Sequence, residues 1–421
     1  MLILNIGSIR GILPPGVERL AGAEMESRPA ELADAWLRVD DGGRISSFGK
    51  MSYLEGRQLQ GEEIVDARGG WLLPAFCDSH THIVYAGTRD GEFLDKINGL
   101  SYEEIAARGG GILNSADLLH ETSEDELYRQ AMVRVREVMA KGTGAIEIKS
   151  GYGLTTDDEL KMLRVIARIR ESVPAIVRAT FLGAHAVGRA YAGRQKEYVD
   201  LIISEMIPRV AAEGLADFVD VFCDEGFFTV EETDRILTAA ARFGLKPKIH
   251  ANELANSGGV QVGVRHGALS VDHLERMGAD EIEALRGSHT IPTMLPGASF
   301  FLGMPYAPAR DAIRAGLPVA LASDYNPGSS PSGDMRFVMA LGCIRMRLGG
   351  DRQRRRCHGC VRHRRFDNRR KNCIVLHHRT HAVARLSAIF LYLAAHPRGL
   401  HSRQENLITQ WPELLMPLHC F

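Results

Sequence analysis

The stretch Leu73-Pro-Ala-Phe-Cys-Asp-Ser-His-Thr-His-Ile-Val-Tyr85 places two histidines, His80 and His82, one residue apart at the end of an apolar run. In an extended strand, side chains two residues apart point to the same side. Both imidazoles can therefore reach one metal ion without an ordered loop between them. The alternative is a surface pair on an edge strand, and further ligands elsewhere in the chain would decide against it.

Three more potential ligands occupy similar positions. His250, His273 and Asp324 each come at or just after the end of an apolar run. In a parallel α/β barrel the carboxyl ends of the strands meet at one face, and catalytic groups come from several of them. Polar groups at so many strand ends are hard to explain by packing, so the sequence predicts one shared site.

The order of predicted elements indicates the fold class. Strands alternate with helices for most of the chain from residue 66 to 348, which is typical of a parallel sheet and, at eight strands, of a closed barrel. Residues 1–65 are predicted to form short strands with a hairpin turn at Asp40-Asp-Gly-Gly43, too few for a stable unit. We therefore predict a (β/α)8 TIM-type barrel at 66–348, with residues 1–65 as one half of a small β-sandwich accessory domain. The predicted barrel strands are the one ending at His80, Ala145–Lys149, Val177–Leu182, Phe218–Phe222, the one ending at His250, Leu269–Asp272, Thr290–Met294 and Val319–Ala322.

Composition is ordinary for a globular protein, with 45% hydrophobic residues in 421. The chain has no apolar run of the roughly 20 residues that a membrane span needs. The first residues, Met1-Leu-Ile-Leu-Asn-Ile6, lack the basic region and the small-residue cleavage site of a secretion signal, so we expect no such signal and a cytoplasmic protein. The seven cysteines are scattered, which argues against a disulfide scaffold.

Longer runs around these residues resemble the amidohydrolase superfamily and, within it, the imidazolonepropionase family. The superfamily pattern is His80-x-His82 followed by His250, His273 and Asp324. The resemblance covers about residues 1 to 348. The runs that carry the closer resemblance are Phe76-Cys-Asp-Ser-His-Thr-His82 with Arg89 after it, Tyr102-Glu-Glu-Ile-Ala-Ala-Arg-Gly-Gly-Gly-Ile112, Glu147-Ile-Lys-Ser-Gly-Tyr-Gly-Leu154, Phe181-Leu-Gly-Ala-His-Ala186, His250-Ala-Asn-Glu253 and Ser323-Asp-Tyr-Asn-Pro-Gly-Ser329.

The resemblance implies a metal-dependent hydrolase of histidine degradation that converts 4-imidazolone-5-propanoate to N-formimino-L-glutamate by opening its ring amide. One divalent or trivalent ion is expected, and imidazole with one carboxylate suits zinc or iron. The sequence does not decide between these two metals. The expected metal ligands are His80, His82, His250 and Asp324.

The resemblance also implies roles for other residues. Glu253 would act as a general base or substrate-activating carboxylate, His273 would hydrogen-bond the carbonyl oxygen, and Asp324 could also shuttle a proton. Arg89 offers a bidentate fork for the propionate of the substrate. The residues expected to contact substrate or product are Arg89, Tyr152, His185, Asn326, Gly328 and Ser329.

The chain changes character after Leu348, where the resemblance stops. Between Asp351 and Asn372 there are ten lysines and arginines against two aspartates, although the whole chain has a net charge of −1. We treat 349–421 as an anomalous basic tail and hypothesise a shifted reading frame from near Gly349. Such a tail would disrupt the C-terminal half of the β-sandwich and leave strand edges exposed, so we predict weak solubility. Cys357-His-Gly-Cys360 lacks a second pair at zinc-ribbon spacing, so no zinc site is predicted there.

Two alternative functions stay open. One is another amidohydrolase, such as a ring deaminase, which would not need Arg89 and Tyr152 to bind a propionate. The other is an inactive product whose basic tail binds nucleic acid non-specifically, although the arginine-rich run has one aromatic residue and no recognisable binding domain. We expect a small-molecule substrate and neither a membrane nor a nucleic-acid partner, and the sequence leaves a homodimer open.

Overall fold

A computed structural model describes residues 1–348 except 14–16, 18, 27–29, 55–60, 101–103, 105–107 and 109, together with the short strand Leu391–Tyr392. The hypothesised frame shift near Gly349, the Cys357–Cys360 pair and the arginine-rich run lie outside these described residues. So does part of the run from Tyr102 to Ile112.

Five strands from the first 72 residues and the short strand β14 (Leu391–Tyr392) form a six-stranded sheet in the order β14-β5-β1-β2-β3, with β4 also paired to β1. Strand β2 runs antiparallel to both of its neighbours, β1 and β3, whereas β4 and β5 run parallel to β1. The predicted turn after Asp40 joins β2 to β3, and the Asp40 N–H donates to the Arg44 carbonyl at 2.9 Å. Strand β3 forms one edge of the sheet and exposes Ile45 and Phe48. The strands are β1 (Leu2–Ile12), β2 (Ala30–Val39), β3 (Ile45–Lys50), β4 (Ile64–Asp66), β5 (Trp71–Leu72) and β14 (Leu391–Tyr392).

The second sheet holds eight parallel strands in sequence order, from β6 to β13. The sheet curls so that its last strand meets its first: the Asp324 N–H donates to the His80 carbonyl at 3.0 Å, and the His82 N–H donates to the Tyr325 carbonyl at 2.9 Å. The predicted eight-stranded barrel is confirmed. Its strands are β6 (Phe76–Thr81), β7 (Thr143–Lys149), β8 (Ile176–Ala184), β9 (Phe218–Cys223), β10 (Lys246–Ala251), β11 (Ser270–His273), β12 (Ile291–Met294) and β13 (Ala320–Leu321).

Helices connect the barrel strands and cover them from outside. Several begin where a hydroxyl side chain accepts a backbone N–H, as Ser123 accepts from Glu126 and Thr155 from Asp158. One helical stretch contains a π-helical turn, Ile202–Met206, between the α-helical segments Gln195–Leu201 and Ile207–Ala212. The α-helices are Asp90–Ile97, Ile112–Glu121, Glu124–Ala140, Thr156–Ser172, Gln195–Leu201, Ile207–Ala212, Val230–Ala241, Gly259–Arg265, Ala279–Leu285, Pro296–Leu302, Ala309–Arg314 and Met335–Ile344, and the short 3-10 segments are Gly22–Glu26, Met51–Tyr53 and Arg189–Tyr191.

Side-chain alternation along the strands separates the apolar shell from a polar interior. On β7, Ile146 and Ile148 belong to the main hydrophobic core, which the helices also line. The residues that alternate with them, Glu147 and Lys149, reach other charged groups and are also buried. Among the described residues, no helix is long and apolar enough to cross a bilayer. The barrel therefore offers charged groups directly beneath the mouth where its strands end.

Candidate metal centre and active site

The structure brings His80, His82, His250 and Asp324 together at the carboxyl ends of the barrel strands. The His82 Nε2 lies 3.3 Å from that of His80 and 3.4 Å from that of His250. An Asp324 carboxylate oxygen lies 3.4 Å from the His80 Nε2 and 3.5 Å from the His82 Nε2. All four side chains are buried. Their donor atoms therefore converge on one point.

The chemistry of these donors fits a metal ion. Donor atoms about 2.1 Å from a metal in a tetrahedral arrangement lie roughly 3.4 Å from one another, which matches the spacings seen here. His80 and His250 direct Nδ1 at the carboxylates of Asp272, at 2.7 Å, and Asp220, at 3.0 Å. The His80 Nδ1 is hydrogen-bonded to Asp272 and, because a carboxylate accepts, this Nδ1 carries the hydrogen and the His80 Nε2 presents a lone pair to the cluster. Lone pairs that face one another suit a cation between them.

Burial keeps the imidazoles in the neutral form that binds metals. Loss of solvent lowers the pKa of His80 well below its usual value, and the nearby charge of Lys149 lowers it further. Burial and then the neighbouring His185 lower the pKa of His82 in the same way. Neither imidazole needs to lose a proton before it can bind an ion.

Two buried lysines hold the carboxylates beneath the histidines. The Lys149 Nζ donates to Glu147 and to Asp220, both at 2.8 Å, and the Lys248 Nζ lies 3.2 Å from Asp272. Burial opposes the charge of Lys149, yet Asp220 and Glu147 raise its pKa, so it stays protonated. Sequence reasoning did not find this layer. Its signal is the alternation of charged residues with Ile and Val along predicted buried strands, as in Ala145–Lys149.

His273 and Glu253 face each other beside the metal cluster. The His273 Nε2 lies 3.5 Å from a Glu253 oxygen, and its Nδ1 lies 3.6 Å from Glu275. Burial disfavours a charged imidazole, but the Glu253 and Glu275 carboxylates raise the pKa of His273 to about 10. Burial raises the pKa of Glu253 to about 8, with the Glu275 carboxylate adding to the rise against the opposing charge of His273. The two carboxylates thus favour the charged form of His273, whereas burial favours the protonated form of Glu253.

Arg89 lies at the mouth of the barrel, just before the helix Asp90–Ile97. Its side chain is 8% exposed, its Nε donates to the Ser115 hydroxyl at 2.9 Å, and its guanidinium carbon is 5.7 Å from the centre of the Tyr152 ring. The guanidinium lies against Gly328, where an added Cβ would be 2.1 Å from Nη1. Its Nη2 is buried and has no hydrogen-bond partner among the described residues. An unpaired buried guanidinium nitrogen suits a carboxylate ligand.

The other residues predicted to contact substrate surround the same cluster. The His185 ring stacks on His82 with centroids 5.1 Å apart, and the Tyr152 ring lies 5.8 Å from His82. The Asn326 side-chain oxygen accepts the N–H groups of Gly328, at 2.8 Å, and Ser329, at 2.7 Å. The Ser329 hydroxyl is 3.3 Å from an Asp324 oxygen. The structure thus gathers every predicted site residue at one end of the barrel.

Comparison with solved structures defines the class of the fold. A 5-methylcytosine deaminase from Klebsiella pneumoniae has a TM-score of 0.61 at 16% identity, covering 85% of this chain and 83% of that one. Atrazine chlorohydrolase from Arthrobacter aurescens, solved as a complex with zinc, has a TM-score of 0.56 at 16% identity, covering 82% of this chain and 76% of that one. An amidohydrolase from a Sargasso Sea sample has the same score at 19% identity and covers 83% and 75%. The fold is that of the amidohydrolase barrel.

Sequence comparison narrows the class to a family. The chain is 53% identical to the imidazolonepropionase of Flavobacterium johnsoniae over 347 residues, which are 82% of this chain and 84% of that protein. It is 51% identical to the imidazolonepropionase of Christiangramia forsetii over 348 residues, covering 83% and 84%. No family model matches the chain. At these identities and lengths, the chain belongs to the imidazolonepropionase family, which confirms the resemblance seen in its motifs.

Proposed function

We propose that this chain hydrolyses the ring amide of 4-imidazolone-5-propanoate and releases N-formimino-L-glutamate, a step in the degradation of histidine. Membership of the family supports a hydrolase that acts on a cyclic amide C–N bond in a small molecule. The observation that carries the choice of substrate is the buried Arg89 guanidinium, whose Nη2 lacks a partner among the described residues. Although the Glu92 carboxylate lies 3.7 Å from the Arg89 Nε, the Nη2 atom is left for a ligand, and a substrate with a propionate supplies a carboxylate for it.

We assign one metal ion to His80, His82, His250 and Asp324, and the donor set suits zinc or iron. When bound, such an ion lowers the pKa of a water molecule towards neutrality and polarises the scissile carbonyl group. Asp272 orients the imidazole of His80 by accepting from its Nδ1, and the Asp220 carboxylate lies 3.0 Å from the His250 Nδ1. The chain thus presents a pre-arranged set of lone pairs, which lowers the cost of ordering the site.

Protons are handled by three residues at the edge of the cluster. His273, protonated beside Glu253 and Glu275, donates a hydrogen bond to the carbonyl oxygen as negative charge develops there. Asp324 accepts the proton that the attacking water loses and passes it to the ring nitrogen that leaves. Glu253 hydrogen-bonds the ring and holds the substrate in the tautomer that is attacked.

The substrate tail and ring are held by the remaining residues. Arg89 binds the propionate through two parallel N–H···O bonds, with Tyr152 next to its guanidinium. His185 lies flat against His82 and bounds the ring on one side. The loop from Asn326 to Ser329 supplies polar groups next to Asp324. With the propionate held by Arg89, the length of the substrate places its ring carbonyl carbon at the metal centre.

The test is a metal analysis of the purified full-length chain, paired with turnover of 4-imidazolone-5-propanoate and of an imidazolone without the propionate. We expect ring opening without release of ammonia, which separates an amidase from a ring deaminase. Arg89→Gln should lower kcat/KM for the propionate substrate by about 100-fold, because two charge-assisted hydrogen bonds are lost, and should leave the shorter substrate almost unaffected. Equal losses for both substrates, or ammonia release by the metal-loaded chain, would reject the proposal.

A further inference from the structure

We infer that Asp224, which the sequence motifs do not single out, is a positioning residue for Glu253. The inference rests on the proposed catalytic role of Glu253. Asp224 directly follows β9, and its side chain is 4% exposed. Glu253 lies in the segment after the neighbouring strand β10, so the contact runs from one barrel strand to the loop of the next.

The Asp224 carboxylate accepts three consecutive backbone N–H groups of that loop. One oxygen accepts from Glu253 at 2.7 Å and from Leu254 at 3.0 Å. The other accepts from Ala255 at 3.1 Å and from the adjacent Glu225 at 2.8 Å. These donors lie outside the strand ladder; the Glu253 N–H is buried, and a buried donor without a partner costs about 1–3 kcal/mol, whereas the bonds from Leu254 and Ala255 are only partly buried. One carboxylate therefore satisfies the backbone that carries Glu253.

The backbone changes direction immediately before Glu253. Asn252 has φ of +55°, in the left-handed region that asparagine adopts more readily than most residues other than glycine. The Asn252 carbonyl is held on its other side by the Arg276 N–H at 2.8 Å. Asp224 and Arg276 together fix the direction in which the chain leaves β10. The side chain of Glu253 then meets His273 at 3.5 Å.

This arrangement requires that both side-chain oxygens at position 224 accept hydrogen bonds. Each oxygen of Asp224 accepts two N–H groups. In Asp224→Asn, either orientation of the amide would direct an NH2 group at two N–H donors. The loop must then move, and a displacement of about 1 Å of a catalytic group can cost about 100-fold in rate.

The experiment is a double-mutant cycle with Asp224→Asn, Glu253→Gln and the double variant, all measured in the metal-loaded full chain. We expect Asp224→Asn to lower kcat by about 100-fold, with KM changed less than about threefold and metal content unchanged. In the Glu253→Gln background the same change should cause no further loss, because Asp224 acts through Glu253. Amide hydrogen exchange at residues 253–255 should accelerate at least tenfold in Asp224→Asn, a measurement that does not depend on activity.

A matched control lies at the opposite end of the same strand. Asp217 also accepts a backbone N–H, that of Ala179 at 2.9 Å, and pairs with Arg170 and Arg178, but at the end of the barrel away from the metal centre, so its loss should affect stability at least as much. Asp217→Asn should lower the thermal midpoint and leave kcat within about twofold. A kcat loss in Asp217→Asn equal to that in Asp224→Asn would overturn the positioning role, since it would trace the effect to stability.

The remaining outcomes separate this inference from the proposed function. Losses that multiply in the double variant would overturn the inference, because Asp224 would then act independently of Glu253. An unchanged kcat in Glu253→Gln would overturn the catalytic role of Glu253, and the inference with it. A loss in Glu253→Gln but none in Asp224→Asn would overturn the inference alone. If Asp224→Asn does not fold, Asp224→Ser keeps one accepting oxygen and serves in the same cycle.

Discussion

Gly328→Ala tests how Arg89 reaches the substrate. The added methyl group would lie 2.1 Å from the Arg89 Nη1 and 3.0 Å from its guanidinium carbon. Ordinary contacts begin near 3.4 Å, so the guanidinium must retreat by more than about 1 Å. The Arg89 Nε is tied to Ser115, so this retreat also strains that hydrogen bond. We expect the parallel bonds to the propionate to be lost while the metal centre stays intact.

The expected magnitude follows from those bonds. A hydrogen bond to a charged group contributes about 1.5–3 kcal/mol, and misalignment of the pair should cost about 3 kcal/mol in total. Each 1.4 kcal/mol is a factor of about ten, so kcat/KM should fall roughly 100-fold. Most of the loss should appear in KM if the propionate is bound equally in the ground state and the transition state.

The assay is steady-state turnover of 4-imidazolone-5-propanoate and of its analogue without the propionate, with metal content measured on the same samples. Gly91→Ala is the matched control. Gly91 lies two residues after Arg89, an added Cβ there meets no atom within 4 Å, and its φ is not left-handed. That change should stabilise the helix by up to about 1 kcal/mol and leave KM unchanged.

Two results would refute the reasoning. If Gly328→Ala slowed both substrates equally, the substitution would be acting on the metal centre or the loop rather than on propionate binding. If Gly328→Ala changed kcat/KM for neither substrate, displacement of the Arg89 guanidinium would not affect turnover. Arg89 would then not be the propionate ligand.

Three further predictions concern the metal centre and the charges beneath it. His250→Ala should lower bound metal, measured by mass spectrometry, together with turnover, and unchanged metal content would reject His250 as a ligand. Asp272→Asn should weaken metal binding by about 10–100-fold in competition with a chelator, and an unchanged affinity would contradict its orienting role. Lys149→Met leaves Asp220 buried without its cation and should cost about 3–5 kcal/mol in urea unfolding. The exposed Lys246→Met is its control and should change stability by under about 0.5 kcal/mol.

The barrel could be predicted because its strands are short apolar runs with clear ends. Phe218–Phe222 was predicted as a strand, and the structure has a wholly buried strand at Phe218–Cys223. The predicted run Val319–Ala322 pairs over only two residues, Ala320–Leu321, because the chain then turns to meet β6 through Tyr325. Local pattern thus finds the strands, whereas their ends depend on which neighbour they meet.

The metal cluster was predictable for a related reason, since the ends of parallel strands converge wherever the barrel closes. The ion-pair partners of the buried charged residues could not be predicted from the sequence. Lys149 and Asp220 lie on different strands, and their contact at 2.8 Å depends on the register of the whole sheet. Arg89 is similar: its position in sequence is plain, but its burial depends on Gly328, far along the chain.

The backbone hydrogen bonds that close the barrel between its first and last strands have a consequence for the order in which the metal centre is assembled during synthesis. The first and last barrel strands meet through the backbone of His80 and Asp324, which are also proposed ligands. During synthesis on the ribosome, His80 and His82 emerge long before Asp324. The full set of metal donors therefore exists only after residue 324 has been made. Metal binding should therefore be the last step of assembly, and nascent chains that end before Asp324 should bind less metal than the full chain.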